Sequence, residues 1–266
     1  MSRRIVVKVG GAILDDAGAR SRFAVAVAAA REAGAQVVVV HGGGAQVSRL
    51  MGSLGLEARR IRGLRVTDAA TARAVVQGLR GEVNAELTAA LVDQGVSALG
   101  LSGVDDRLMT AEILDPALEQ VGRVTAVNAG LLEALCGQGY VPVVATVAHA
   151  QGQFLNVNAD DAVAPIAEAF CATAVLFLSD VAAVLDGGAP IPSIDGAAAE
   201  QLVGREVVTG GMLPKVQAAL DAARRLPQAT VRMASGLASD PIESALAGGG
   251  TLFVAGAAGS EEAVHV

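Results

Sequence analysis

Apolar positions along this chain follow two rhythms. Short runs rich in β-branched residues stand at residues 5–9, 37–40, 141–145, 175–178, 230–233 and 251–254, and longer Ala-, Leu- and Arg-rich stretches with three- and four-residue apolar spacing lie between them. Runs without polar alternation suit strands buried on both faces, and the intervening helices supply the cover. The pattern predicts an α/β fold: a three-layer α/β/α sandwich around a mainly parallel central sheet. Residues 68–94 predict one long helix or two abutting ones, with Thr67 or Asp68 as cap and Gly78 and Gly81 as points of bending. Further helices are predicted over 159–172 and from Pro214 to about Leu226. The segment 187–196, with Pro190 and Pro192, predicts a loop, and residues 255–266 a disordered tail. No internal repeat of fixed period is found. A soft lobe boundary falls near residue 172, giving an N-terminal lobe 1–172 and a C-terminal lobe 173–254.

Composition narrows the picture. Of 266 residues, 52% are hydrophobic and 18% charged, which excludes disorder, and aromatics at 2% leave the core to Ala, Val, Leu and Ile. The formal net charge is −7 and no Lys or Arg run forms a stripe, so nucleic-acid binding is disfavoured. Cys136 and Cys171 lack C-x-x-C spacing; both read as buried small hydrophobes, with neither a disulfide framework nor a metal site implied. The start MSRRIVVKVGG has no signal-peptide pattern, and the apolar runs are broken well short of the ~18 residues a membrane helix needs. A soluble, cytoplasmic protein is expected.

Candidate chemistry gathers at glycines and lysines. Gly10-Gly11 follows one predicted strand and Gly42-Gly43-Gly44 another, where backbone amides and a helix N-terminus can receive an anion. A tight turn would explain a single Gly-Gly pair, but a triple glycine after four valines asks for a close-approach reason. No G-K-[ST] follows, and G-x-G-x-x-G is not completed, so a P-loop ATPase or a Rossmann dehydrogenase is not indicated. The chain holds eighteen arginines but only two lysines, Lys8 and Lys215. A compact ammonium can follow a moving phosphoryl group where a planar guanidinium cannot, which suits phosphoryl transfer. Asp160 opens a predicted helix, where its plain role would be that of a capping carboxylate.

Taken in order, VVKVGG, VVVHGGGAQV, GLRVTD, VNAELT, GLSGVDD, GYVPVV, NVNADDA, LFLSDVAAVL and VVTGGMLPKVQAAL resemble the amino acid kinase family, and within it the acetylglutamate kinase branch, over about residues 4–254. The resemblance implies a carbamate kinase-like fold and transfer of the ATP γ-phosphoryl group to the γ-carboxylate of N-acetyl-L-glutamate, in arginine biosynthesis. It implies that Lys8 and Lys215 stabilise transition-state charge while Asp160 holds them. It implies that Gly43, Gly44, Arg65, Asn156 and Asn158 serve the acetylglutamate, and that Gly10 and Gly11 contact the phosphates. Ser179, Asp180, Val181 and Leu185, with Val207, Val208 and Thr209, match the stretch that lines the nucleotide. Mg²⁺ is expected on the nucleotide phosphates, with no protein-held metal. Two positions depart from the pattern: Ala85 and Val104 stand where relatives often carry lysine. With the first strand beginning at about Ile5, the helix that builds arginine-inhibited hexamers is not expected, which leaves a homodimer as the expectation. Two other readings stay open here: a kinase acting on aminoadipate or glutamate attached to a carrier protein, and a catalytically silent sensor.

Overall fold

The structure, a computed structural model, describes residues 2–256. Of the tail expected from residue 255, residues 257–266 lie outside the described residues. An eight-stranded sheet runs through the molecule. In chain order its strands are β1 (Arg4–Val9), β2 (Gln36–His41), β3 (Ala98–Ser102), β4 (Val141–Ala145), β5 (Ala174–Ser179), β6 (Ser193–Ile194), β7 (Thr230–Ser235) and β8 (Thr251–Phe253). Across the sheet they lie β6-β8-β7-β5-β1-β2-β4-β3. All pairings are parallel except that of β7 with β8. The mainly parallel α/β sheet is thus as expected, and all six apolar runs are strands in it. Strands from the first 172 residues occupy one half and later strands the other, meeting where β1 pairs with β5.

Period-two alternation sorts the strand residues between two cores. Ile5, Val7 and Val9 of β1 pack with Phe23, Val27, Leu87 and Leu91 from helices on one face. Val6, Val38 and Val40 pack on the other face with Val163, Ile166, Val216 and Ala219, from the helices Ala159–Ala169 and Met212–Arg225. Three layers result. A smaller four-stranded sheet, Met109–Ile113, Val121–Val127, Gln153–Val157 and Val147–Ala150 in spatial order, stands beside them.

Some details correct the sequence reading. The 187–196 segment is not all loop: Ala189–Pro190 and Ser193–Ile194 are short strands, and Asp195 caps a helix from Gly196 to Gly204, accepting from the Ala198 N–H at 2.8 Å. Cys136 is buried, but Cys171 is exposed. Cys171 has φ 50° and closes the Ala159–Ala169 helix, its N–H bonding to the Glu168 carbonyl and that of Ala172 to the Ala167 carbonyl. That left-handed closing position turns its side chain outward, a constraint no burial preference can override. The 68–94 stretch is two α-helices, Ala69–Val76 and Asn84–Asp93, joined by a π-helical turn at Gln77–Val83. Asp68 is the cap, accepting from the Thr71 N–H at 2.7 Å.

Candidate active site

Strand alternation decides where Lys8 points. Two residues beyond Val6, it lies on the face covered by the Ala159–Ala169 and Met212–Arg225 helices, with only 6% of its surface exposed. An ammonium buried there needs a counter-charge. Asp160 provides it: Lys8 Nζ lies 2.7 Å from Oδ1, and Lys215 Nζ lies 3.4 Å from Oδ2. One carboxylate thus bridges two lysines more than two hundred positions apart in sequence. Asn158 caps the helix that delivers Asp160, its Oδ1 accepting from the Asp160 N–H at 2.9 Å. Lys215 comes from the first turns of its own helix, which opens at Gly211 with Pro214 just inside, where a missing N–H costs nothing.

The electrostatics of the triad pull in opposing directions. Burial pulls the Lys8 ammonium below its ordinary pKa; Asp160 pushes it back up, and Lys215 pulls down again. Burial pushes Asp160 up, but the two ammonium groups outweigh it and hold its carboxyl below the usual carboxylate range. The Lys8 contact is short but lies off the hydrogen-bonding direction, so Oδ1 has no well-directed donor among the described residues. The arrangement concentrates net positive charge at the mouth of the glycine turns.

Beside it opens a cleft of about 250 Å³, lined by Lys8, Gly10, Gly11, the three glycines 42–44, Arg65, Asn156 and Asn158. A side chain would crowd two of these points, most severely Gly43, whose backbone also disfavours one. A Cβ on Gly10 would stand 3.1 Å from Lys8 Nζ, and one on Gly43, at φ 155°, would stand 2.8 Å from Leu79 Cδ2. The Gly44–Ser53 helix begins at the triple glycine, and the first N–H groups of a helix have no internal partner. Asp15 ties the two turns together, accepting from Gln46 Nε2 at 3.1 Å and from Arg49 Nη2 at 3.0 Å.

Arg65 is 6% exposed and donates to the Gly44 carbonyl at 3.0 Å and to Ser48 Oγ at 2.7 Å. Among the described residues no carboxylate pairs with it, although burial and the nearby Arg60 both press against its charge. A guanidinium keeps its proton regardless. The cleft therefore holds a buried cation facing neutral acceptors, which is what a bound anion would complete. Asn156 stands alongside, its Nδ2 donating at 3.1 Å to Thr67 Oγ1, which donates in turn to the Arg65 carbonyl at 2.8 Å.

The family model described as "Amino acid kinase family" matches residues 3–233. This chain belongs to the amino acid kinase family. Among proteins it is similar to, the acetylglutamate kinase of Solibacter usitatus (strain Ellin6076) is 45% identical over 247 residues, covering 92% of this chain and 96% of that one. The crystal structure of smu.665 from Streptococcus mutans UA159 superposes with a TM-score of 0.84 at 28% identity, over 96% of this chain and all of that one. A carbamate kinase from Giardia lamblia bound to AMP-PNP shares the fold alone, at TM-score 0.70 and 14% identity over 96% of this chain and 99% of that one.

Of the nucleotide-side candidates in this family member, Gly10 and Gly11 line the cleft, whereas Ser179, Asp180, Val181, Leu185, Val207, Val208 and Thr209 do not. Val9 is in register with Leu178, so Ser179, the last residue of β5 and still paired with Ser235 of β7, is level with Gly10. Ser179 is buried, its Oγ accepting from the Val181 N–H at 3.4 Å, while Asp180 and Leu185 are exposed. Val208 is 1% exposed and belongs to the core, with Val207 packed against it and Thr209 at the surface. Sequence reasoning did not single out Thr146, Arg60 or Gly63, which also line the cleft. Arg60 arrives on a hairpin, Arg60–Ile61 with Leu64–Arg65, whose turn has Arg62 at φ 49° and Gly63 at φ 81°. Two positive φ values mark the turn type that suits tight hairpins, and Arg-Gly is not among the dipeptides that announce it.

Proposed function

We propose that this kinase transfers the γ-phosphoryl group of ATP to the γ-carboxylate of N-acetyl-L-glutamate, the acyl phosphate entering arginine biosynthesis. The observation that carries the reading is the Lys8–Asp160–Lys215 triad at the edge of a cleft that also holds Arg65. A carboxylate oxygen attacks the γ-phosphorus; the bond from that phosphorus to the β,γ-bridging oxygen breaks, and ADP leaves with the electron pair. No base is needed, since the acceptor is already ionised near neutrality. What remains is alignment, worth roughly 7–11 kcal/mol in well-oriented systems, and neutralisation of charge on the transferring oxygens.

Each role follows from chemistry at a stated atom. Lys8 and Lys215 ammonium groups oppose the charge on the moving phosphoryl oxygens, and Asp160 fixes both without taking part in bond making. Amides of Gly10 and Gly11 meet the β- and γ-phosphates. Arg65 grips the α-carboxylate of the acceptor, amides of Gly43 and Gly44 meet its reacting carboxylate, and Asn156 and Asn158 complete that side. Ser179 to Leu185, with Val207 to Thr209, receive the nucleotide. Among the described residues no group of three or more metal-ligating side chains comes together, so a Mg²⁺ would be held by the nucleotide phosphates. The two halves of the sheet then act as an acceptor lobe, 1–172, and a nucleotide lobe, 173–254. A homodimer is the assembly proposed, and the cytoplasm its location; no helix among the described residues is long and apolar enough to cross a membrane.

Release of ADP measured with N-acetyl-L-glutamate, glutamate, aspartate and carbamate side by side tests the reading. Turnover with the first alone is expected. Turnover with glutamate or aspartate but not with the acetylated acid would overturn it.

A further inference from the structure

His41, the last residue of β2, is fully buried directly before the glycine turn, and none of the roles above uses it. Its ring is held on both sides. Nδ1 lies 2.8 Å from the Gly42 carbonyl, and Nε2 lies 2.9 Å from Asn84 Nδ2. Which nitrogen carries the proton can be settled by counting donors and acceptors. Asn84 Oδ1 faces Arg80 Nη1 at 3.1 Å, a group that can only donate, and Asn84 Nδ2 faces the Val143 carbonyl at 2.8 Å, which can only accept. The amide therefore has one orientation and presents N–H to His41. Nε2 must accept, so the proton sits on Nδ1 and is donated to Gly42.

Surrounding residues are shaped to keep this arrangement. Arg80, in the π-helical turn, is anchored by Asp105 at 3.7 Å from Nε; Asp105 Oδ2 in turn accepts from the Ser102 N–H at 2.6 Å and Oγ at 2.8 Å. Gly100 of β3 leaves the space that Asn84 Oδ1 fills, since a Cβ there would overlap it. The charged groups near the ring are thus Arg80 and, behind it, Asp105. Burial, helped by Arg80 and opposed by the Gly42 contact, holds the His41 pKa down to about 4, so the ring is neutral near pH 7.

A trans peptide points its C=O and the following N–H in opposite directions. With the Gly42 carbonyl drawn to the ring, the Gly43 N–H faces the other way, and Gly43 lines the cleft. We infer that His41 is a positioning residue: as the Nδ1–H tautomer fixed by Asn84, it pins the Gly42–Gly43 peptide so that the Gly43 N–H is aimed at the acceptor carboxylate. This rests on the acceptor site proposed above.

Two measurements test it. Long-range ¹H–¹⁵N correlation of the imidazoles in the whole protein, with His41 assigned by its loss in His41→Asn, reports the tautomer without reference to catalysis. The neutral Nδ1–H form is expected in wild type from pH 6 to 8, and a protonated or Nε2–H ring in Asn84→Asp. Steady-state kinetics on His41→Leu should show an acceptor KM raised about tenfold or more with the ATP KM within about twofold, the loss of one oriented donor. His41→Asn, whose amide nitrogen can take the place of Nδ1, should restore most of the acceptor affinity, and thermal unfolding confirms that each variant is folded. An Nε2–H tautomer in wild type, or a folded His41→Leu with unchanged acceptor KM, would overturn the inference. If wild type does not turn over N-acetyl-L-glutamate, the acceptor assignment fails instead, and the imidazole spectrum still decides whether the peptide is pinned.

Discussion

Replacing Asp160 with Ala removes the only negative charge between two ammonium groups, and its cost can be bounded from the structure. Lys8, 6% exposed, loses the carboxylate 2.7 Å away and keeps Lys215 as a like-charged neighbour. Breaking a buried pair from one side costs about 3–5 kcal/mol. An independent ceiling comes from discharging Lys8: from an ordinary pKa of ~10.4 to pH 7, at ~1.36 kcal/mol per unit, it costs about 4.6 kcal/mol. The two figures agree, so the midpoint of thermal unfolding should fall by roughly 6–20 °C at about 2–4 °C per kcal/mol for a chain of this size. The sign of the pH dependence follows. With the folded pKa of Lys8 further depressed, the unfolded chain binds the extra proton, so the variant should regain stability as pH rises toward 10. Differential scanning calorimetry from pH 7 to 10 reads both effects. The double variant Lys8→Met/Asp160→Leu should recover most of the stability, because Lys215 is 29% exposed and can be solvated, yet remain inactive. A midpoint for Asp160→Ala within about 1 °C of wild type, flat with pH, would refute the buried triad, since even ~1 kcal/mol moves it further.

Other outcomes follow from the same geometry. Arg65→Lys should raise the acceptor KM by roughly 10- to 100-fold while leaving the ATP KM in place, because a point charge cannot grip a carboxylate with two parallel bonds. Gly43→Ala should cost about 1–3 kcal/mol in urea denaturation, its Cβ falling 2.8 Å from Leu79 Cδ2 and 3.0 Å from Val83 Cγ2. Because the folded pKa of His41, about 4, lies below its unfolded value, stability should be lost as pH falls from about 6.5 to 4, by about 3 kcal/mol, and His41→Leu should flatten that limb in acid titrations.

The sheet was legible because a strand covered on both faces must be apolar throughout, and the runs around Val7, Val39, Val143 and Leu176 are. Lys8 and Lys215 stood out for a chemical reason: a chain that uses arginine almost everywhere had kept lysine at two places. That both meet at Asp160 depends on which face of β1 carries position 8 and which helices pack on it, a fact of tertiary packing. Asp160 on its own read better as a first-turn or capping carboxylate, and the cap is Asn158. The hairpin that brings Arg60, the short strands around Pro190 and the π turn at Gln77–Val83 were missed because two-residue strands and a single wide turn leave no period to detect. Cys171 was misplaced because its position is set by a left-handed backbone at a helix end.

The central claim is tested most directly by single-turnover trapping of the acyl phosphate with hydroxylamine, on wild type, Lys8→Arg and Lys215→Arg, each shown to bind ATP. Wild type should yield the γ-hydroxamate of N-acetyl-L-glutamate, and each variant should form it at least about 100-fold more slowly, the scale set by losing one preorganised charge. Hydroxamate formed by either variant within about threefold of the wild-type rate would contradict the account.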